Sequence, residues 1–101
     1  MALIAQLHDG VAINKCLLDQ PQLTIGRSSD CDIFIDDVVV STQHAVIEQV
    51  DSPDARAQID YYIHDLGSTN GTYVNGRRVT SPTSASRGDT VQIGKTILEV
   101  R

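Results

Sequence analysis

Tryptophan is absent from this 101-residue chain, phenylalanine and methionine each occur once, and there are only two cysteines. With three tyrosines as the other aromatics, the chain lacks the stacking platform that grips single-stranded nucleic acid. Basic residues are scarce as well: eight Lys and Arg stand against thirteen Asp and Glu, a formal net charge of −5. That balance excludes the basic footprint of a nucleic-acid binder. An anionic ligand must therefore be captured by a small local cluster against an unfavourable overall field. No stretch approaches the roughly 20 apolar residues of a membrane-spanning helix. The first lysine is Lys15, so no basic secretory leader is expected. Cys16 and Cys31 have no metal-ligand spacing around them. Buried free thiols in a reducing cytoplasm are the expectation, with a disulfide as the open alternative.

What the chain does have is apolar–polar alternation of period two, broken by turn signals every eight to twelve residues or so. Residues 3–7 and 11–18 flank Asp9-Gly10, an opening hairpin. Further strands are expected at 23–25, 33–35, 45–50 and 58–64, with an acidic loop around Asp51-Ser52-Pro53-Asp54. Tyr73-Val74 and Arg78-Val79 flank Asn75-Gly76, the strongest short hairpin signal in the chain. Residues 90–93 and 96–100 join at Gly94-Lys95, and 80–87 read as a loop. No window shows the three-and-four spacing of a helix. The expectation is one all-β domain over residues 1–101, an antiparallel sandwich or barrel whose single core buries roughly 60–70% of the unfolded surface.

Three polar blocks sit between these strands: Gly26-Arg27, Ser41-x-x-His44, and the run from Asp65 to Gly76, dominated by Gly, Asn, Ser, Thr and Asp. Such residues build exposed turns, where binding groups concentrate. Arg27 at a strand end is a planar, permanently charged fork suited to phosphate oxygens. Ser41, His44 and Asp65 could suggest a hydrolase, but no Gly-x-Ser-x-Gly elbow surrounds Ser41. His44 is better placed to bond neighbouring backbone and fix the loop that carries Ser41. Asp30, Asp32, Asp36 and Asp37 do not match a calcium loop and read as turn caps. Gly67 to Gly71 lacks the Gly-Lys-Ser/Thr of a nucleotide-binding loop.

Together these blocks carry a resemblance. Gly26-Arg27, Asp32-Ile33-x-Ile35-x-Asp37, Val40-Ser41-x-x-His44-Ala45-x-Ile47, Asp65-Leu66-x-Ser68-x-Asn70-Gly71-Thr72-x-Val74-Asn75-Gly76 and Gly88-Asp89-x-Val91-x-Ile93-Gly94 resemble the forkhead-associated (FHA) domain. The blocks run in order across almost the whole chain. The resemblance implies a β-sandwich of about eleven strands whose loops at one end bind phosphothreonine peptides. Arg27 and Ser41 would contact phosphate oxygens, Thr69 would add a hydroxyl or amide, and Asn70 would bond the peptide backbone. Gly26, His44 and Gly71 would shape the loops. After Ser41 the family often places Arg, Lys or Asn; here Thr42 offers a hydrogen bond without charge.

The functional expectation is a cytoplasmic, monomeric signalling module that binds phosphothreonine-containing proteins or peptides. No enzymatic activity, cofactor, metal, nucleic acid or membrane is expected. The rival reading is an interaction domain of the same fold that acts independently of phosphorylation.

Overall fold

The computed structural model of the chain describes residues 2–51 and 59–101. The expected loop residues Ser52, Pro53 and Asp54 lie outside the described residues. Eleven strands follow in chain order: β1 (Leu3–His8), β2 (Val11–Leu17), β3 (Gln22–Gly26), β4 (Ile33–Phe34), β5 (Ala45–Asp51), β6 (Ile59–Asp65), β7 (Thr72–Val74), β8 (Arg77–Arg78), β9 (Thr83–Ala85), β10 (Thr90–Ile93) and β11 (Thr96–Val100). They form a six-stranded sheet in the order β2-β1-β11-β10-β7-β8 and a five-stranded sheet in the order β4-β3-β5-β6-β9. Among the described residues there is no helix, hence none long and apolar enough to cross a membrane.

Alternation explains the layering. Ile4, Val74, Val91, Ile93, Leu98 and Val100 face inward from one sheet, and Leu23, Ile25, Ile47, Tyr61 and Ile63 from the other. Burying a side chain of this size contributes about 1.5–3 kcal/mol. Both hairpin signals act as their residues require. Asp9 (φ 51°) and Gly10 (φ 80°), like Asn75 (φ 49°) and Gly76 (φ 83°), occupy the left-handed region at both central turn positions.

Three features depart from the sequence reading. The segment 80–87 contains a strand, β9, paired to β6 through Tyr61↔Ala85, Tyr62↔Ser84 and Ile63↔Thr83. Only Ala85 of its three residues is buried, so the edge of β6 recruits it and no local apolar pattern announces it. The sandwich is not wholly antiparallel either: β3 and β4 pair in parallel through Ile25↔Ile33 and Gly26↔Phe34. Parallel neighbours usually need a crossover of a dozen or more residues; a ladder of two pairs needs only the excursion 27–32. Finally, both thiols are free, but only Cys31 is buried; Cys16 is half-buried on the edge strand β2. Burial, reinforced by the Asp32 and Asp19 carboxylates, pushes the Cys16 thiol above its usual range.

The pairings also decide where the polar blocks meet. Ile25 lies opposite Ala45, Ala45 opposite Asp65, and Thr72 opposite Ile93. The loops 27–32, 35–44 and 66–71 and the turn at Gly94-Lys95 therefore emerge at one end of the sandwich. His44 and Thr72, the buried polar side chains among the described residues, sit at that end.

Candidate functional site

The segment 39–42 is held by its neighbours through four consecutive carbonyls. Asn70 Nδ2 donates to Val39 O at 2.8 Å and Arg27 Nε to Val40 O at 3.0 Å. The amides of Arg27 and Ser28 donate to Ser41 O at 3.0 Å and Thr42 O at 3.1 Å. Three loops distant in sequence become one rigid surface, because buried or strained backbone groups cost free energy unless paired.

Gly26 makes that closeness possible because it has no side chain, and not through an unusual backbone conformation. Its φ is not in the left-handed region. A Cβ at this position would lie 2.2 Å from Thr42 O and 2.9 Å from Thr42 C, backbone atoms that cannot give way. The Cys31 thiol completes the contact, bonding Thr42 O at 3.5 Å. Gly71 differs: at φ 89° it needs glycine for its conformation, and a Cβ would also press the Arg78 guanidinium at 3.2 Å.

His44 is fully buried and spans two loops. Its Nδ1 accepts the Ser41 amide at 3.0 Å, so the proton sits on Nε2, which donates to Gly71 O at 2.9 Å. Both ring nitrogens are thereby committed to backbone. Neither reaches the Ser41 hydroxyl or Asp65, and the hydrolase arrangement is absent from the fold.

Asp65 is the group that residue-by-residue reading undervalued. Its Oδ1 accepts the Gly67 and Ser68 amides, each at 2.8 Å. Oδ2 accepts the Ser68 hydroxyl at 2.6 Å and the Thr72 hydroxyl at 2.7 Å. Ser68 Oγ in turn accepts the Gly71 amide at 3.0 Å. The only signal was Asp followed three residues later by Ser, a turn pattern with many other uses. Burial pushes this carboxyl up, but the hydrogen bonds from Ser68, Thr72 and Gly67 outweigh it and hold it below the usual range. A depressed carboxyl stabilises the fold above its unfolded value near ~3.9, and that contribution is lost as pH falls through the lower folded value. Thermal melts of wild type and Asp65→Asn from about pH 6 to about pH 2.5 should therefore converge in acid. A gap independent of pH would contradict this role.

The remaining expected residues form the outer surface. Ser41 Oγ accepts the Thr69 amide at 3.3 Å, joining the second and third loops. Arg27, Thr42, Thr69 and Asn70 are exposed. Arg27 commits only Nε, leaving its terminal nitrogens without an acceptor among the described residues. Asn70 is partly spent: one N–H braces Val39, while Oδ1 and the second N–H remain for a ligand. Of the four aspartates only Asp37 caps a turn, taking the Val39 amide; Asp32 takes the Thr24 amide and hydroxyl eight residues away, and the Asp30 and Asp36 carboxylates accept no hydrogen bond among the described residues. No cluster of three or more metal-ligating side chains occurs among the described residues. Chemically, the surface offers one guanidinium fork, three hydroxyls, amides and a carboxamide, groups suited in kind to an anion, with no activated nucleophile among the described residues.

Comparison with known proteins matches this geometry. The glycogen accumulation regulator GarA of Mycolicibacterium smegmatis is 45% identical over 82 residues, covering 81% of this chain and 47% of that protein. The chain thus spans about half the length of the curated relatives it matches. A structure from a study of phosphothreonine-dependent FHA domain interactions superposes with a TM-score of 0.80 at 30% identity, covering 100% of this chain and 96% of that one. Mycobacterium tuberculosis EmbR, solved in complex with a low-affinity phosphopeptide, gives a TM-score of 0.81 at 31% identity over 99% of this chain and 24% of EmbR. The FHA domain family model matches residues 23–94, and the chain belongs to the FHA domain family.

Proposed function

We propose that the loop end of this sandwich is a phosphothreonine-dependent peptide-binding site, and that residues 1–101 act as one such module in cytoplasmic signalling. The observation that carries the reading is the convergence of Arg27, Ser41, Thr69 and Asn70 on one surface through the carbonyls of 39–42. Arg27 clamps two phosphate oxygens. The hydroxyls of Ser41, Thr42 and Thr69 satisfy the third, and Asn70 pairs with the peptide backbone through Oδ1 and its second N–H. Gly26, His44 and Gly71 position these groups without touching the ligand. A phosphothreonine brings about −1.5 to −2 charges and three acceptor oxygens, so one guanidinium with several neutral donors suits it. Thr42 adds no second charge, which makes this site dependent on Arg27. The module works by binding and not by catalysis, in keeping with the regulator GarA among its relatives.

The test is calorimetric titration with a phosphothreonine peptide and its unphosphorylated twin. The phosphorylated form should bind more than about a hundredfold tighter, since two or more charge-assisted hydrogen bonds are at stake. Equal affinity for the two peptides would reject the reading in favour of a phosphorylation-independent interaction domain.

A further inference from the structure

The four carbonyls of 39–42 that gather the loops are not equally secured. Ser41 O and Thr42 O each take a backbone amide, and the Ser41 amide is held by the His44 ring. Val40 is 1% exposed, so packing in the core fixes its place. Val39 has no such anchor: it is 39% exposed and follows Val38, which is 89% exposed. Yet Val39 O is the acceptor that orients the Asn70 carboxamide. The Val39 backbone needs another hold, because an exposed stretch of this kind otherwise samples many conformations.

Asp37 supplies it with side chain and main chain together. Its Oδ1 accepts the Val39 amide at 3.1 Å, and its carbonyl accepts the Val40 amide at 3.0 Å. The Val40 N–H and the Val39 C=O belong to one planar peptide unit. With the N–H turned to Asp37 O, the C=O is directed the opposite way, to Asn70 Nδ2 at 2.8 Å. The carboxylate itself is lodged in place. Its Oδ2 takes the Lys95 amide at 3.4 Å and lies against Gly94. A Cβ on Gly94 would come within 2.9 Å of Asp37 Oδ2 and 3.0 Å of Val39 and Val40 methyl carbons. The titratable side chains that share these surroundings, His8, Asp36 and Lys95, are exposed, and none of them bonds the Asp37 carboxylate through its side chain.

Resting on the reading of Asn70 as the group that pairs with the peptide backbone, we propose that Asp37 is a positioning residue for peptide binding, fixing the Val39–Val40 peptide plane and, through it, the direction of the Asn70 carboxamide. Asp37 touches no ligand. It acts before the peptide arrives, so that Oδ1 and the second N–H of Asn70 are already aimed and the cost of ordering one side chain is removed from binding. Arg27 and Ser41 do not depend on it, because Val40 O and the Ser41 amide are secured by core packing and by His44. Phosphate recognition is therefore independent of the Asp37 carboxylate, and backbone recognition is not.

The experiment compares wild type, Asp37→Ala and Asp37→Asn, with a phosphothreonine peptide in calorimetry and inorganic phosphate in NMR titration; thermal melts establish that each variant is folded. Asp37→Ala should weaken peptide binding about three- to tenfold, the factor for ordering one side chain, and leave phosphate binding unchanged. Asp37→Asn keeps an oxygen for the Val39 amide and should bind like wild type. Asp37→Glu keeps the charge but carries the oxygens a methylene too far, and should resemble Asp37→Ala; it supplies the same readout if Asp37→Ala does not fold. In an Asn70→Ala background the loss from Asp37→Ala should vanish, which a general loosening of the fold would not produce. Additive losses overturn the inference, as do equal losses for peptide and phosphate, or an Asp37→Asn affinity as poor as that of Asp37→Ala. All three leave phosphothreonine binding standing. A wild type that binds no phosphothreonine peptide, or an Asn70→Ala variant that binds the peptide as wild type does, removes the underlying reading and this inference with it.

Discussion

Arg27→Ala is expected to reduce phosphothreonine-peptide binding by about a hundredfold or more while the domain stays folded. The guanidinium is the one cation on the three loops, and Thr42 stands where a second could have been. Its Nε is already turned to Val40 O, which holds the fork in place before ligand arrives and reduces the ordering cost of binding. Charge-assisted bonds contribute roughly 1.5–3 kcal/mol each, and the fork makes two at once. Loss of the Nε bond costs the fold about 0.5–1.5 kcal/mol, because a single carbonyl at the loop edge is left to water. Arg27→Lys separates charge from shape: an ammonium keeps the charge but not the two-pronged geometry, and should recover only part of the affinity. Calorimetry with parallel thermal melting decides the matter. Unchanged affinity in Arg27→Ala would take the phosphate role away from this residue.

His44→Ala is expected to have the largest effect on stability. The ring is 0% exposed and links the Ser41 amide to Gly71 O. Truncation strands a buried donor and a buried acceptor at about 1–3 kcal/mol each and leaves a cavity the size of an imidazole. The total, roughly 3–5 kcal/mol, should lower the Tm by more than about 10 °C in a domain of this size. Binding should fall with it, since Ser41 and the 66–71 loop lose their common anchor. A variant that melts at the wild-type temperature and fails to bind would mean that the ring contacts ligand directly.

Much of this is legible from residue order because it is local. Alternation of period two reports which face of a strand is buried, and Asp9-Gly10 and Asn75-Gly76 report turns that demand left-handed backbone. Arg27, Ser41, Thr69 and Asn70 stand out because polar groups at strand ends are inexpensive to display and costly to bury. The strand β9 was not legible: its sequence has no alternation, and it exists because the edge of β6 offers hydrogen bonds. Asp65 was visible as a residue but not as the acceptor of four hydrogen bonds, since its partners share a turn whose shape the carboxylate itself creates.

Residue order by itself determined the all-β class, the sandwich, the family and the short set of side chains able to meet a phosphate. Tertiary structure alone decided what surrounds several of them and holds them in place. Gly26 is glycine because Thr42 O occupies the place of its Cβ, sixteen positions along the chain. Asn70 is partly a brace for Val39, and His44 a bridge from Ser41 to Gly71. The 94–95 turn stands beside the 66–71 loop because β10 pairs with β7. Each of these depends on atoms far apart in sequence approaching within a few ångströms. Periodicity and propensity report only on near neighbours, so distances of this kind appear when two sheets pack and not before.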